Sequence, residues 1–339
     1  MMKTVICLQP GEMALRSAPK PVPGAAEVLV RVKRVGVCGT DIHAFSGRQP
    51  YFQYPRVLGH ELAGVVDAVG SEVSTVEPGA TVYVMPYLEC GECVACRQGK
   101  TNCCTHIRVI GVHQDGGMCE YLPVPQDHVI SADGLDLDQL ALVECLAIGA
   151  HAVRRADVQP GSTVLVVGAG PIGMGILQFA KVRGARVLMV DNNEERLRFC
   201  QQSLGADAVI QAGSDVKAEL EALTAGDYPN TVFDATGNPE AMMAGFGWVA
   251  HGGTYVLVSV VSADITFSDP EFHKRELSLL GSRNATREDF EQVVSCLRDG
   301  SAVALAMVTH RCALTDLPEI FPQWTRPGSG VIKAIVEVG

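Results

Sequence analysis

The sequence predicts an α/β protein, a doubly wound parallel sheet preceded by a smaller, irregular β domain. Three observations lead there. The apolar run Val164-Leu165-Val166-Val167 passes directly into Gly168-Ala169-Gly170-Pro171-Ile172-Gly173 and then into helix-compatible residues. From that point apolar runs and helical stretches alternate, the rhythm of βαβ units. Upstream, short β-like segments are separated by glycine and proline turns.

Residues 1–35 read as short strands, and Pro19, Pro21 and Pro23 break the chain before the clearest of them. In that strand Val28, Val30 and Val32 alternate with Leu29, Arg31 and Lys33, close to the period-2 pattern of a half-buried strand. Further strands are expected at Leu62–Val69 and Thr81–Met85, giving a β domain up to about residue 135. The stretch Leu137–Val158 has helical spacing and length and carries the chain out of this domain. Apolar runs at 164–167, 187–190, 208–210, 231–233 and 254–258 then alternate with helices near 171–183, 194–204, 215–224 and 239–250. After about residue 282 the chain returns to the first domain, with a helix at 286–298 and strands near 306–309 and 331–336. The expected division is 1–147, 148–282 and 283–339, the last completing the first.

The glycine-rich turn has the strand, turn and helix context that a dinucleotide fingerprint requires. Gly168 permits the tight turn, Gly170 lets backbone N–H groups approach a pyrophosphate, and Gly173 lets helix and strand pack closely. The helix N-terminus, opening at Pro171-Ile172, faces the anion. Asp191 ends the next apolar run about twenty residues on, where a carboxylate accepts hydrogen bonds from both ribose hydroxyls. Its charge would repel a 2′-phosphate, and Asn192-Asn193 supply no compensating cation, so NAD is expected rather than NADP. Arg196 is the one nearby base.

Composition excludes other classes. With 339 residues and 47% apolar content the chain has material for two domains with a sizeable core. A net charge of −11 argues against a nucleic-acid partner. No run of about eighteen apolar residues indicates a membrane span, and the apolar core of Met1–Pro10 is too short for a signal peptide. A cytoplasmic address is expected, with the 12 cysteines divided between metal ligands and reduced core thiols.

Cys90-Gly91-Glu92-Cys93-Val94-Ala95-Cys96, followed by Cys103-Cys104, places four thiolates close enough to wrap one tetrahedral Zn²⁺ in a lobe at about 88–106. Spacing does not decide between Cys103 and Cys104, since neighbours in extended chain point opposite ways. Four cysteines leave no open position for substrate, so this site is structural. A second set is dispersed: Cys38 with Thr40, Asp41 and His43, then His60-Glu61, then Glu144. One thiolate, one imidazole and one or two carboxylates suit catalytic zinc with an open position. Glu144 lies in the apolar stretch Leu140–Leu146, where an unpaired carboxylate would be costly.

The order Cys-Gly-Thr-Asp-x-His, Gly-His-Glu, four-cysteine lobe, Val-Glu-x-Leu-Ala and G-x-G-x-x-G resembles the zinc-dependent medium-chain dehydrogenase/reductase family over essentially the whole chain. Within it, the resemblance is to the polyol, sugar-acid and threonine dehydrogenase branch. It implies a GroES-like β domain plus a Rossmann domain, an active site in the cleft between them, two Zn²⁺ per chain and a homodimer or homotetramer. Carried over, Cys38 and His60 are zinc ligands, Glu61 and Glu144 both lie at the metal, and Cys104 is the fourth structural ligand. Cys145 departs from the pattern, standing where relatives usually have proline.

The chemistry implied is oxidation of a secondary alcohol by NAD⁺, with zinc as Lewis acid on the hydroxyl. The resemblance routes the proton from Thr40 through the cofactor ribose to His43. Arg48, Lys274, Arg283 and Asn284 are candidates to hold a carboxylate or several hydroxyls, arginine by a two-pronged fork. The expected substrate is a sugar acid or polyol, an aldonate first; a threonine or simple polyol dehydrogenase is the alternative. A zinc-free reductase or a non-catalytic nucleotide-binding protein would not need Cys38, His60 and Glu61 together.

Overall fold

Two compact units make up the computed structural model, which describes residues 1–49, 52–213, 215–326 and 328–339. One comprises Met1–Cys145, Thr286–Arg298 and Ala304–Gly339; the other comprises Leu146–Ala285 and Asp299–Val303. Among the described residues no helix is long and apolar enough to cross a membrane.

The first unit is organised around the strand Glu27–Val37. Its neighbours are Glu61–Val69 and Tyr121–Pro125 along its length and Lys333–Glu337 at its end, all antiparallel to it. Lys333–Glu337 pairs in turn with Val308–Ala313, and Glu61–Val69 with Thr81–Val84. Val28, Val30 and Val32 are buried as their alternation predicts, but Leu29 is buried too. The pairing with Glu61–Val69 is bulged twice, with Asp67 the extra residue of the partner strand between Leu29 and Val30 and Lys33 the extra residue of this strand before Arg34, and such bulges bend a sheet.

The helix expected over 137–158 is two helices, Leu137–Ala141 and Val143–Arg155. Asp136 caps the first with a capping box to Gln139. At Leu142 the backbone tightens, its N–H bonding Gln139 O at 3.1 Å, and the second helix restarts with Glu144 in its first turn. An unforeseen helix, Leu317–Trp324, contains Pro318 and Pro322. Pro318 is harmless in a first turn. Leu317, Phe321 and Trp324 form a buried i, i+4, i+7 stripe that overrides the cost of Pro322.

In the same unit Asp138 clamps three elements. Its carboxylate accepts from Arg34 Nε at 2.7 Å and from Arg311 Nη2 at 2.6 Å. Partial burial alone would raise this carboxyl; the Arg311 and Arg34 guanidiniums prevail and hold it below the usual range. A lowered folded-state value means stability that is complete above the unfolded value of about 3.9 and lost as pH falls through the folded one. Asp138→Asn is therefore expected to cost about 1–2 kcal/mol at neutral pH, discounted for the exposure of Arg311. The gap between wild type and variant should close in strong acid. Urea midpoints at pH 7 and near pH 2.5 check this; an undiminished gap would sink it.

The second unit is a six-stranded parallel sheet in the order Ala208–Gln211, Arg186–Asp191, Thr163–Val167, Thr231–Asp234, Thr254–Leu257, Ser278–Gly281. The first strand in sequence, Thr163–Val167, lies inside the sheet, and the chain winds outward from it in both directions. Helices Pro171–Val182, Glu194–Ser203, Val216–Leu223 and Pro239–Gly245 connect the strands as the alternation predicted. The strand Ser278–Gly281 was not foreseen: at the sheet edge it is mostly exposed, so it carries no buried run for a periodicity argument to find. Helices Val143–Arg155 and Pro171–Val182 pack closely enough that a Cβ on Gly149 would lie 2.5 Å from the backbone of Gly175.

Candidate active site

In the first unit, Cys38 Sγ, a ring nitrogen of His60 and a carboxylate oxygen of Glu61 lie within 4.8 Å of one another. Cys38 is the N-cap of the short helix Gly39–Phe45, whose third residue, Asp41, closes a capping box onto it. The buried Asp41 carboxylate accepts from Cys38 N at 2.9 Å and from Gly59 N at 3.1 Å, and lies 3.8 Å from His60 Nδ1. One side chain thus ties together the two segments that supply donors. Burial pushes the Asp41 carboxyl up, with the neighbouring His60 opposing.

The turn before His60 is held by glycines. A Cβ on Gly111 or Gly116 would lie 2.7 or 2.3 Å from Gly59 O. Their absence lets the segment from Ile110 to Met118 run against the His60 turn, with Gly117 N bonding Gly59 O at 2.9 Å.

Glu61 is fully buried at the start of its strand, directly opposite Gly36. A Cβ on Gly36 would lie 2.0 Å from Glu61 Oε2, so the carboxylate occupies the place of a side chain. Glu61 Oε1 accepts from Lys333 Nζ, which also donates to Val37 O at 3.2 Å. Lys333 is 1% exposed. Its neighbours Cys145, Glu61 and Cys38 outweigh burial and raise its ammonium well above the ordinary lysine value. Glu61 Oε2 and His60 Nδ1 are buried without a hydrogen-bond partner. Buried polar atoms are rarely left so, and a thiolate, an imidazole and a carboxylate converging with an unshared oxygen are the donors of a mixed zinc site. The residues fit the metal. Gly36→Ala is expected to displace Glu61 and lower zinc affinity at this site by at least ~10-fold. Metal analysis after dialysis checks it, and full retention would refute the cradle.

Glu144 is not in that set of donors. It is buried, its Oε1 accepting from the Tyr87 hydroxyl, and it interacts electrostatically with His60 and Glu61. Cys145 is also buried, and burial pushes its thiol well up. Thr40 is half-buried in the first turn of Gly39–Phe45; His43, in the last, is exposed.

Cys90, Cys93, Cys96 and Cys104 form the other cluster, again with donors within 4.8 Å. Sγ–Sγ distances are 3.4 Å for Cys93–Cys96 and 3.5 Å for Cys90–Cys104. Cys104 is buried, its sulfur accepting from Cys90 N and His106 N at 3.3 Å each; Cys103 is exposed and outside the cluster. Backbone N–H groups of Cys96 and Thr105 bring the Cys93 thiol down to about 5, while burial and Cys93 push Cys96 up to about 12. Such crowded sulfurs ionise together only around a cation.

In the second unit the glycine-rich turn follows the strand Thr163–Val167. Gly168 has φ +103°, and a Cβ on Gly173 would lie 1.8 Å from Gly168 O. Around Gly170, the N-cap of Pro171–Val182, such an atom would meet nothing within 4 Å, leaving the backbone open to a ligand. The Asp191 carboxylate accepts from Ala169 N at 2.5 Å and Asn193 N at 2.7 Å, so this acid and the turn form one unit. Arg196 is half-buried at the start of the next helix.

The substrate candidates belong to both units. Arg48 is exposed in the first unit; Lys274, in the second, is exposed near Glu271. Arg283 is exposed and Asn284, at φ +51°, half-buried.

Sequence reasoning missed Lys333, Gly36 and Tyr87. A single lysine in the apolar run Val331–Val338, and a glycine inside a β-branched strand, were signals for the first two. Tyr87 left none.

Residues 24–134 match the alcohol dehydrogenase GroES-like domain and 171–299 the zinc-binding dehydrogenase domain. The chain is 44% identical over 335 residues to L-galactonate-5-dehydrogenase of Escherichia coli strain K12, covering 99% of this chain and 98% of that one. An alcohol dehydrogenase of Escherichia coli CFT073 complexed with NADH superposes with TM-score 0.93 at 31% identity, and a zinc-binding dehydrogenase of Sinorhizobium meliloti 1021 bound to NADP with 0.92 at 30%. Each alignment covers 99% of both chains. With both clusters, the glycine-rich turn and these likenesses in hand, the chain belongs to the zinc-dependent, nicotinamide-cofactor alcohol dehydrogenases.

Proposed function

We propose that this enzyme oxidises a secondary alcohol of a sugar acid or polyol to the ketone with NAD⁺, an L-galactonate-type aldonate being the favoured substrate. The observation that carries the chemistry is the Cys38–His60–Glu61 set, buried at His60 and Glu61, with its unpartnered oxygen. The 44% identity to an L-galactonate dehydrogenase supports the substrate class.

Cys38, His60 and Glu61 would hold the catalytic Zn²⁺, with Glu144 beside it, and Cys90, Cys93, Cys96 and Cys104 the structural one. When bound, catalytic zinc supplies Lewis acidity that lowers the pKa of a ligated hydroxyl, as it brings water to about 7. Lys333 holds the Glu61 carboxylate in place through their buried contact. Thr40 relays the hydroxyl proton, releasing its own as it accepts, and His43, three residues on along the same helix face, receives the relayed proton and hands it to water. Desolvation of its ring by the surrounding protein and the Arg48 charge hold His43 below the usual histidine range, which keeps its ring neutral and able to accept. The glycine-rich turn faces the pyrophosphate, and Asp191 holds the ribose and disfavours a 2′-phosphate. Arg196 lies toward the adenosine end. Arg48, Lys274, Arg283 and Asn284 are the polar groups assigned to the substrate's carboxylate and hydroxyls.

The test is a screen of aldonates, polyols, inositols and L-threonine with NAD⁺ and with NADP⁺, before and after chelation. The expected result is NAD⁺ reduction with an aldonate, lost on chelation and restored by zinc. Activity that survives removal of the catalytic metal sinks the zinc mechanism; preference for NADP⁺ sinks the Asp191 argument.

A homodimer or homotetramer is part of the same reading. The outer strand Ser278–Gly281 leaves Leu279 39% exposed at an edge able to pair with another strand. Light scattering decides, a monomer refuting it. Twelve free cysteines, five of them in the two metal-donor sets, fit a reducing cytoplasm; recovery outside that compartment on fractionation would refute this address.

A further inference from the structure

Tyr87 belongs to neither donor cluster, yet it touches the surroundings of both. It is 6% exposed, and its hydroxyl donates to Glu144 Oε1. Its ring meets Phe290 edge-on with centroids 6.2 Å apart, and Phe290 stacks on Tyr83 at 6.0 Å. Tyr87 lies in the two-residue strand Tyr87–Leu88, paired antiparallel with Arg108–Val109. That ribbon is the stem of the four-cysteine lobe: one strand leads into Cys90 and the other follows Cys104. Glu144 is buried beside Cys38, His60 and Glu61 without joining their set.

We propose that Tyr87 is a positioning residue for the catalytic metal, acting through Glu144 and tying its orientation to the fold of the four-cysteine lobe. The hydroxyl engages one carboxylate oxygen and fixes the orientation of Glu144, which lies outside the donor set as an outer carboxylate. The Phe290 contact and the ribbon pairing fix where that hydroxyl lies. The Tyr87–Glu144 bond is thus the physical link from the structural lobe to the catalytic site. Outer partners of this kind typically change metal affinity 10- to 100-fold when removed. The proposal rests on reading Cys38, His60 and Glu61 as the catalytic zinc site.

The experiment follows zinc release from the holoenzyme to a chromogenic chelator, in wild type, Tyr87→Phe, Glu144→Gln and the double variant. Wild type is expected to release two ions in separate phases. Tyr87→Phe, which keeps the ring, should speed one phase by roughly 10- to 100-fold and leave the other unchanged. The double variant should release no faster than Glu144→Gln alone, because the two residues act as one unit. Acceleration of both phases, of neither, or additive effects in the double variant would overturn the proposal. A Tyr87→Phe chain that unfolds even without metal would overturn it too, assigning the hydroxyl to the core. A wild type that binds no metal at the Cys38 set instead defeats the parent reading, so the two failures are distinguishable.

Discussion

Lys333→Met is expected to destabilise the metal-free protein by about 3–5 kcal/mol, the cost of leaving one partner of a buried ion pair uncompensated. Glu61 is fully buried, its Oε1 is held by Lys333 and its Oε2 has no partner. Methionine fills much of the lysine volume, so the loss is electrostatic rather than a cavity. With zinc bound the deficit should shrink, because the metal cation takes over the compensation of Glu61. The folded-state value of Lys333 is raised. Its contribution is therefore complete at every pH below the unfolded value near 10.4 and is lost only as pH rises through the folded one. The deficit should be flat from about pH 6 to 9. Urea unfolding with chelator and with zinc, at three pH values in that window, measures it. A change below about 0.5 kcal/mol in the metal-free protein would show that Lys333 does not neutralise Glu61.

Cys104→Ser should remove one of two zinc ions and unfold the lobe, whereas Cys103→Ser should do neither. Structural zinc carries an apparent binding free energy of about 10–16 kcal/mol in small metal-folded domains. That rivals the whole stability of an ordinary protein, about 5–15 kcal/mol, so a lobe that loses a ligand has little else to hold it. The adjacent cysteines differ because Cys104 is buried, with two N–H groups on its sulfur, while Cys103 faces outward. Zinc content and proteolysis within residues 88–106 read both variants. Equal loss from the two would mean that the sulfurs exchange roles, contrary to the geometry.

These two predictions divide between what was legible in the sequence and what was not. The four-cysteine lobe was legible because its ligands are so close along the chain, but spacing left Cys103 and Cys104 open, and burial distinguishes them. The alternating sheet was legible for the same reason: each buried strand is a continuous apolar run such as Val164–Val167, and its glycine turn follows immediately. Legibility failed where burial is one-sided or absent, as at the edge strand Ser278–Gly281, and where packing overrides propensity, as in Leu317–Trp324.

By itself the sequence pointed to the glycine-rich turn, Asp191 and the lobe and, through a family resemblance, to Cys38, His60, Glu61 and Glu144. Only the tertiary structure decided how those last four are held. Lys333 reaches Glu61 from a strand 272 positions away in sequence, and Tyr87 reaches Glu144 from 57 positions away. Gly36 makes room for the Glu61 carboxylate from the adjacent strand. Contacts at such separations leave no periodic trace. A buried carboxylate needs a counter-charge, a donor and space, and only the packing of strands selects the residues that provide them.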